Sequence, residues 1–361
     1  MTSARARALT ARPLGDVHAA VAIGALGALA LALVGALIRR EPVPRGDDLI
    51  YEYIARDPLG THTFPFGYRI GLPGLVHVLP FSDTTDFRSL TYLAAAGAAA
   101  FAYLLMRHFS SDRRTCAALA LLLCVSPPFV LVAIRNGRNT DIATVFFLMA
   151  GTYFLVRRRY LALALTLLLG AAVREAVLFL IPLAYAVWAE RPLDRRAALA
   201  TLAVALPACG AYAAIRLGIT TVGKDSVPGY GGSLLRQRFT VIEEGLRAPG
   251  RELRRMFTVY GPLWFVAPLA LRDMRFARRG LVLVACCVLA MTFALDWGRM
   301  ILLAAPVFYA ASAYVLERRP RWVAPVLIAF LALAIAYAVY MDASGVRTGI
   351  IDNPPPPYPV R

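Results

Sequence analysis

Lysine is almost missing from this chain. Of 39 basic residues only Lys224 is a lysine, so the net charge of +17 at pH 7 is carried almost wholly by arginine. That bias fits a GC-rich coding sequence as well as it fits a preference for guanidinium chemistry. Cysteine is sparse, and all five (Cys116, Cys124, Cys209, Cys286 and Cys287) lie in or at the edge of apolar runs. The placement argues for small buried residues and against a disulfide framework or a thiolate metal site. The four histidines, His18, His62, His77 and His108, are scattered. His62 and His77 share one loop, but with no cysteine nearby they make a poor zinc site. No glycine-rich loop follows a strand, which argues against a cytoplasmic nucleotide-sugar site. There is no internal repeat and no stretch with the composition of a soluble domain.

Apolar residues are abundant. The chain is 59% hydrophobic with a mean hydropathy of +0.61, which places it in a bilayer. A charge of +17 would ordinarily suggest nucleic acid as a partner. Here the arginines cluster in short turns between apolar runs, as the positive-inside rule describes, so membrane lipids are the expected surroundings and nucleic acid is not expected.

The turns order the spans. After Arg5, Arg7 and Arg12, an apolar run from Val17 to Ile38 is long enough to cross. It exceeds the apolar centre of a cleaved signal peptide and reads as a retained first helix with its N-terminus cytoplasmic. Arg39, Arg40 and Arg45 oppose that orientation, and the later clusters outvote them. Leu90–Met106 returns to Arg107, His108, Arg113 and Arg114. Thr115–Ile134 goes out to the turn RNGRNTD, and Asp141–Val156 comes back to Arg157–Arg159. Tyr160–Trp188 has basic residues at both ends, so it crosses twice or not at all; crossing twice makes it two short helices with Arg174 and Glu175 near the tip. A single bent helix is the competing arrangement. Ala197–Leu217, Phe257–Leu271, Leu281–Leu295, Met300–Leu316 and Trp322–Met341 complete about eleven spans. The expected fold is an all-α polytopic bundle over residues 1–361, with exterior segments at 40–89, 218–256 and 342–361. In the second of these, Leu234, Leu235, Phe239, Ile242 and Leu246 form the stripe of an interfacial helix. The closing NPPPPYPVR reads as polyproline II or disorder.

The loop Gly46–Pro80 is the richest polar stretch. Leu49, Ile50, Tyr53 and Ile54 recur at helical spacing, with Asp48, Tyr51 and Glu52 on the other side. Neighbouring helical residues diverge by roughly 100°, so Asp47 and Asp48 cannot both face one target. On this topology Asp47, Asp48, Arg69, Arg138, Asp141, Arg174, Glu175, Asp296 and Arg299, from four parts of the chain, all lie at the outer side. Charged groups near membrane depth line cavities or pair with each other. Plainer roles exist for several: Asp296 with Arg299 as a local ion pair, Arg174 with Glu175 as a structural pair, and Arg138 with Asp141 as a helix cap.

The loop resembles the GT-C superfamily of polyprenyl-phosphate-dependent glycosyltransferases. Asp47, Asp48 and Tyr51 match in place and order its acidic residues after the first helix and the tyrosine that follows. The stretch PFGYRIGLP (Pro65–Pro73) is similar to a proline–aromatic–arginine stretch of bacterial members, and Asp141 corresponds to the acid between the third and fourth helices. The resemblance implies a polyprenyl-phosphate sugar donor, an acceptor that is an envelope glycan, lipid or protein, and a site on the exterior face of the plasma membrane. The chain is short for that superfamily and has no soluble exterior domain to recognise an acceptor.

The residue chemistry is compatible with that implication. A phosphate leaving group needs positive charge rather than a proton, and arginine forks grip phosphate oxygens in two places. An acceptor hydroxyl needs a base, which one carboxylate supplies. Asp48 or Asp47 is the candidate base, and Arg69, Arg174, Arg299 and Arg138 are candidates for the phosphate. Tyr51, Asp141, Glu175 and Asp296 would orient arginines or bind sugar hydroxyls. No cofactor is expected; the exterior carboxylates could hold a divalent ion, but nothing in the sequence calls for one. The charged set leaves open a transporter or lipid-linked-sugar flippase and a non-catalytic membrane subunit.

Overall fold

The computed structural model of the chain describes residues 14–38, 47–63, 66–135, 138–222, 243, 246–247, 249–292 and 297–343. These form sixteen α-helices, four short 3-10 turns and one two-residue strand pair. The all-α expectation therefore holds apart from that pair. The helices are α1 (Leu14–Leu37), α2 (Asp47–Arg56), α3 (Gly71–Val78), α4 (Asp83–Phe109), α5 (Arg113–Cys124), α6 (Pro127–Arg135), α7 (Asp141–Val156) and α8 (Tyr160–Val173). There follow α9 (Leu180–Trp188), α10 (Arg195–Gly218), α11 (Pro249–Tyr260), α12 (Leu263–Val266), α13 (Arg275–Met291), α14 (Trp297–Leu302), α15 (Ala305–Arg318) and α16 (Val323–Ala343).

Among the described residues four helices are long and apolar enough to cross a membrane: Gly15–Leu37, Asp83–Phe109, Arg195–Gly218 and Pro320–Tyr340. A fifth crossing is available if α5 and α6, bent by 41° at their junction, form one span. Many of their large apolar side chains, including Leu29, Leu202, Leu206 and Ile335, face outward, as helices surrounded by lipid require.

Helix α4 is the central post. Its 27 residues reach roughly 40 Å, more than a bilayer core. Ser82 caps it by accepting from Thr85 N, with Asp83 and Asp86 in the first turn and Arg107 and His108 in the last, so both ends match the helix dipole. Its buried alanines, Ala95, Ala98, Ala99 and Ala102, let α1 approach closely. A side chain at Gly24 of α1 would meet the Ala96 carbonyl at 2.6 Å. The arginine-rich ends of α4 and α5 hold α1 through Asp16, which lies 3.6 Å from Arg107 and 3.2 Å from Arg113.

Several expected spans are broken. Residues 115–134 are not one straight helix: the chain kinks at Val125–Ser126, and Pro127 restarts it where a missing N–H costs nothing. Residues 160–188 do divide at Arg174, whose extended backbone separates α8 from a 3-10 turn (Glu175–Phe179) leading into α9. Residues 257–271 are not a continuous span, because α11 ends at Gly261 with φ +48°, a left-handed conformation that suits glycine. Short turns through α12 and Ala267–Leu271 follow. Residues 300–316 are also interrupted, at Leu303–Ala304.

The first loop is more firmly anchored than its composition suggests. His62–Thr63 pairs in parallel with Thr221–Val222, and the Tyr68 hydroxyl lies 3.0 Å from Thr221 Oγ1. Arg216 stacks on the Tyr68 ring at 4.0 Å. His62 and His77 are each bonded to a main-chain carbonyl, of Asp57 at 2.7 Å and Ala55 at 2.9 Å. Of the expected interfacial stripe, Leu246 is exposed and Leu234, Leu235, Phe239 and Ile242 lie outside the described residues, as does the tail from residue 344. Cys116, Cys124 and Cys287 are buried and Cys286 is half-buried, as expected of small core residues; Cys209 is instead exposed, on the outward face of α10.

Candidate functional site

Helix α2 forms where the spacing of Leu49, Ile50, Tyr53 and Ile54 places it, and its buried face keeps Ile50 and Ile54 but takes Tyr51 in place of Tyr53. Tyr53 is half exposed and Tyr51 is wholly buried. Ile50 and Ile54 pack on Leu72, Val76 and Phe87, from α3 and the first turns of α4. A residue one helical step away, Tyr51, then turns into the protein beside Asp48, which is also buried. The two stand at i and i+3 and share a face. Asp47 begins the same helix, and its side chain lies outside the described set.

Tyr51 is the first junction. Its hydroxyl accepts from Arg69 Nη1 at 3.1 Å and lies 3.3 Å from Thr140 Oγ1. Arg69 also grips Glu175 with two bonds, Nε to Oε2 at 3.1 Å and Nη2 to Oε1 at 2.6 Å. Burial opposes the charge on Arg69, but Glu175 and Tyr51 outweigh it and hold the guanidinium well above its ordinary range. The stretch carrying Arg69 reaches the helix break because Gly71 has no side chain. A Cβ there would sit 2.9 Å from the backbone at Ala172–Val173.

Asp141 is the second junction. One of its oxygens accepts from Arg174 Nη1, and the other from Arg299 Nε at 2.5 Å. Its own N–H donates to Asn139 Oδ1 at 3.0 Å, which fixes the turn before α7. Arg174 feels the charges of Arg69, Arg299 and Glu175 together, so the two junctions form one electrostatic unit. Arg138 adds a third corner. Its main-chain N–H donates to Asp48 Oδ1 at 3.3 Å, its Nη2 donates to Thr84 Oγ1 at 2.8 Å, and Glu52 Oε2 stands 3.5 Å away.

Eight sequence-derived candidates, Asp48, Tyr51, Arg69, Arg138, Asp141, Arg174, Glu175 and Arg299, therefore meet at one end of the bundle. Asp296 lies outside the described residues. Of the local pairings weighed from sequence, Asp296 with Arg299 lies outside the described residues, and Arg174 with Glu175 is replaced by longer-range contacts. Arg174 bonds Asp141 rather than Glu175, and Glu175 bonds Arg69. Arg299 reaches α7, 158 residues away. Asp141 begins α7 but spends its carboxylate on two arginines instead of a cap. Thr84, Asn139 and Thr140 were not foreseen, because neutral residues give no charge signal.

The arrangement can bind an anion. Arg138 Nε and Arg174 Nε are buried donors without a hydrogen-bond partner among the described residues, and such donors favour an acceptor oxygen. Among the described residues no three His, Cys, Asp or Glu side chains come together to hold a metal ion. No protein-family model matches the chain, and comparison with curated proteins gives no match.

Proposed function

We propose that this chain is a multi-pass membrane glycosyltransferase that moves a sugar from a polyprenyl phosphate to a cell-envelope glycan, lipid or protein acceptor on the outer face. The observation that carries this reading is the convergence of Arg69, Arg138, Arg174 and Arg299 with Asp48 and Tyr51 at one helix-bundle end. In this reading Arg174, Arg299 and Arg138 receive the lipid phosphate as it leaves, through charge-assisted bonds that need no proton. Asp48 takes the proton of the acceptor hydroxyl. Asp141 already holds two guanidinium groups and Glu175 a third, which makes them poor proton acceptors and good positioners. Asp48 is buried beside Tyr51 and accepts from the Arg138 main-chain N–H at 3.3 Å, which places its carboxylate among the arginines. Eleven crossings are retained in this proposal, with the broken and short helices crossing in halves and the arginine-rich turns in the cytoplasm.

The broken helices support a second reading. Breaks at Val125–Ser126, Arg174, Gly261 and Leu303–Ala304 exceed the single break expected from sequence, and interrupted helices are a hallmark of transporters and flippases. One experiment separates the two. Purified protein is incubated with a panel of polyprenyl-phospho-sugars and envelope acceptors. Arg174-dependent appearance of glycosylated acceptor supports the transferase. Movement of intact lipid-linked sugar across vesicles without transfer replaces it with the flippase.

A further inference from the structure

Helices α4 and α7 run from the candidate site to the arginine-rich end of the bundle. Asp141 starts α7 and Val156 ends it, roughly 22 Å away. At that far end lies a separate cavity of about 240 Å³. Its buried wall is apolar and aromatic: Leu155, Trp188 and Phe276, with Phe109 stacked on Phe276 at 4.8 Å. Two of its members are locked by carbonyls, Trp188 Nε1 to Leu155 O at 3.1 Å and Arg279 Nη1 to Val187 O at 2.7 Å. Its mouth is basic, with Arg158, Arg275 and Arg279 against the single acid Glu190.

Two features of the mouth call for an anion. Arg275 repels Arg279, and neither the Arg158 nor the Arg275 side chain makes a hydrogen bond or ion pair among the described residues. Arg158 is also held at φ +53°, a conformation that costs a non-glycine residue stability. A turn that only had to reverse the chain would be easier with glycine. The strain places a charge at the pocket mouth.

We propose that this pocket binds a phosphate group, with the apolar wall taking the carbon chain attached to it and Arg158 and Arg275 taking the phosphate oxygens. Basic pockets between membrane helices bind anionic headgroups by this combination. The inference is independent of the transferase reading, since it uses none of that site's residues.

The test uses delipidated full-length protein in neutral detergent, titrated by native mass spectrometry with phosphatidylglycerol and with phosphatidylcholine. The variant combines Arg158→Gly with Arg275→Ala; glycine relieves the positive φ, so its melting temperature should not fall. Two lost charges should weaken phosphatidylglycerol binding by about thirtyfold while leaving phosphatidylcholine unchanged. Competition by millimolar inorganic phosphate would assign the site to a soluble phosphorylated ligand, and its absence to a lipid headgroup; either supports the proposal. Equal affinity for the two lipids, or arginine-independent binding, would overturn it.

Discussion

Arg299 and Asp141, 158 residues apart, meet at 2.5 Å, and Arg174 occupies the other oxygen of the same buried carboxylate. The trio carries one net positive charge in a site almost closed to solvent. Removing one partner from such a group is costly, because the charges left behind are buried and unpaired.

Asp141→Ala should therefore be among the most destabilising substitutions in the chain. It takes from Arg174 and Arg299 the carboxylate they share, and loss of one partner of a buried ion pair costs about 3–5 kcal/mol. Thermal unfolding in detergent measures this. A shift no larger than that of an exposed control such as Arg56→Ala would show that water reaches the trio freely.

Arg174→Ala leaves Asp141 with Arg299 and should fold. In the transferase reading it weakens donor binding and lowers turnover together. Donor affinity by titration and turnover at saturating acceptor are the measurements. A lower melting temperature with unchanged kinetics would make Arg174 purely structural.

Asp48→Asn keeps size and the bond to Arg138 N but removes the proton acceptor. Loss of a positioned general base costs ~10²–10⁴-fold in rate, and donor affinity should hold because arginines grip the phosphate. Asp47→Asn is the matched control and should be mild. Two mild variants in folded protein would remove the base from this loop.

Sidedness is testable with single cysteines in a background where the exposed Cys209 is replaced. A cysteine at Thr61 should react with an impermeant thiol reagent from outside intact cells, and one at Arg114 should not. Both positions are exposed, so failure to react is not burial. The reverse pattern would put the candidate site in the cytoplasm.

Acid should weaken α5. Burial raises the Asp112 carboxyl, but bonds from the Thr115 hydroxyl and amide and the Arg114 amide outweigh it and hold the group below its ordinary value of 3.8. A carboxyl depressed in the folded state stabilises fully above the ordinary value and loses that contribution as pH falls through the folded one. Asp112→Asn keeps a cap that cannot titrate. Between pH 5 and pH 2 its melting temperature should fall less than that of the unaltered protein.

The residues themselves determined that the chain is helical, apolar and laid out between arginine-rich turns. Hydrophobic run length and charge clustering are local properties, readable without partners. They also marked Asp48, Tyr51, Arg69, Arg138, Asp141, Arg174, Glu175 and Arg299, because charge near an apolar run is expensive wherever the run goes. The tertiary structure alone decided who pairs with whom. Nothing local tells Arg174 to choose Asp141 over adjacent Glu175. That choice follows from the extended backbone at Arg174, which separates the two side chains, and from Gly71, which lets Arg69 in to claim Glu175. The burial of Tyr51 rather than Tyr53 was likewise decided by neighbours. The stripe of this ten-residue helix leaves its exact rotation open, and packing of Ile50 and Ile54 on Leu72, Val76 and Phe87 fixed it. Periodicity names the faces of a helix, but only the surrounding elements determine which one is covered.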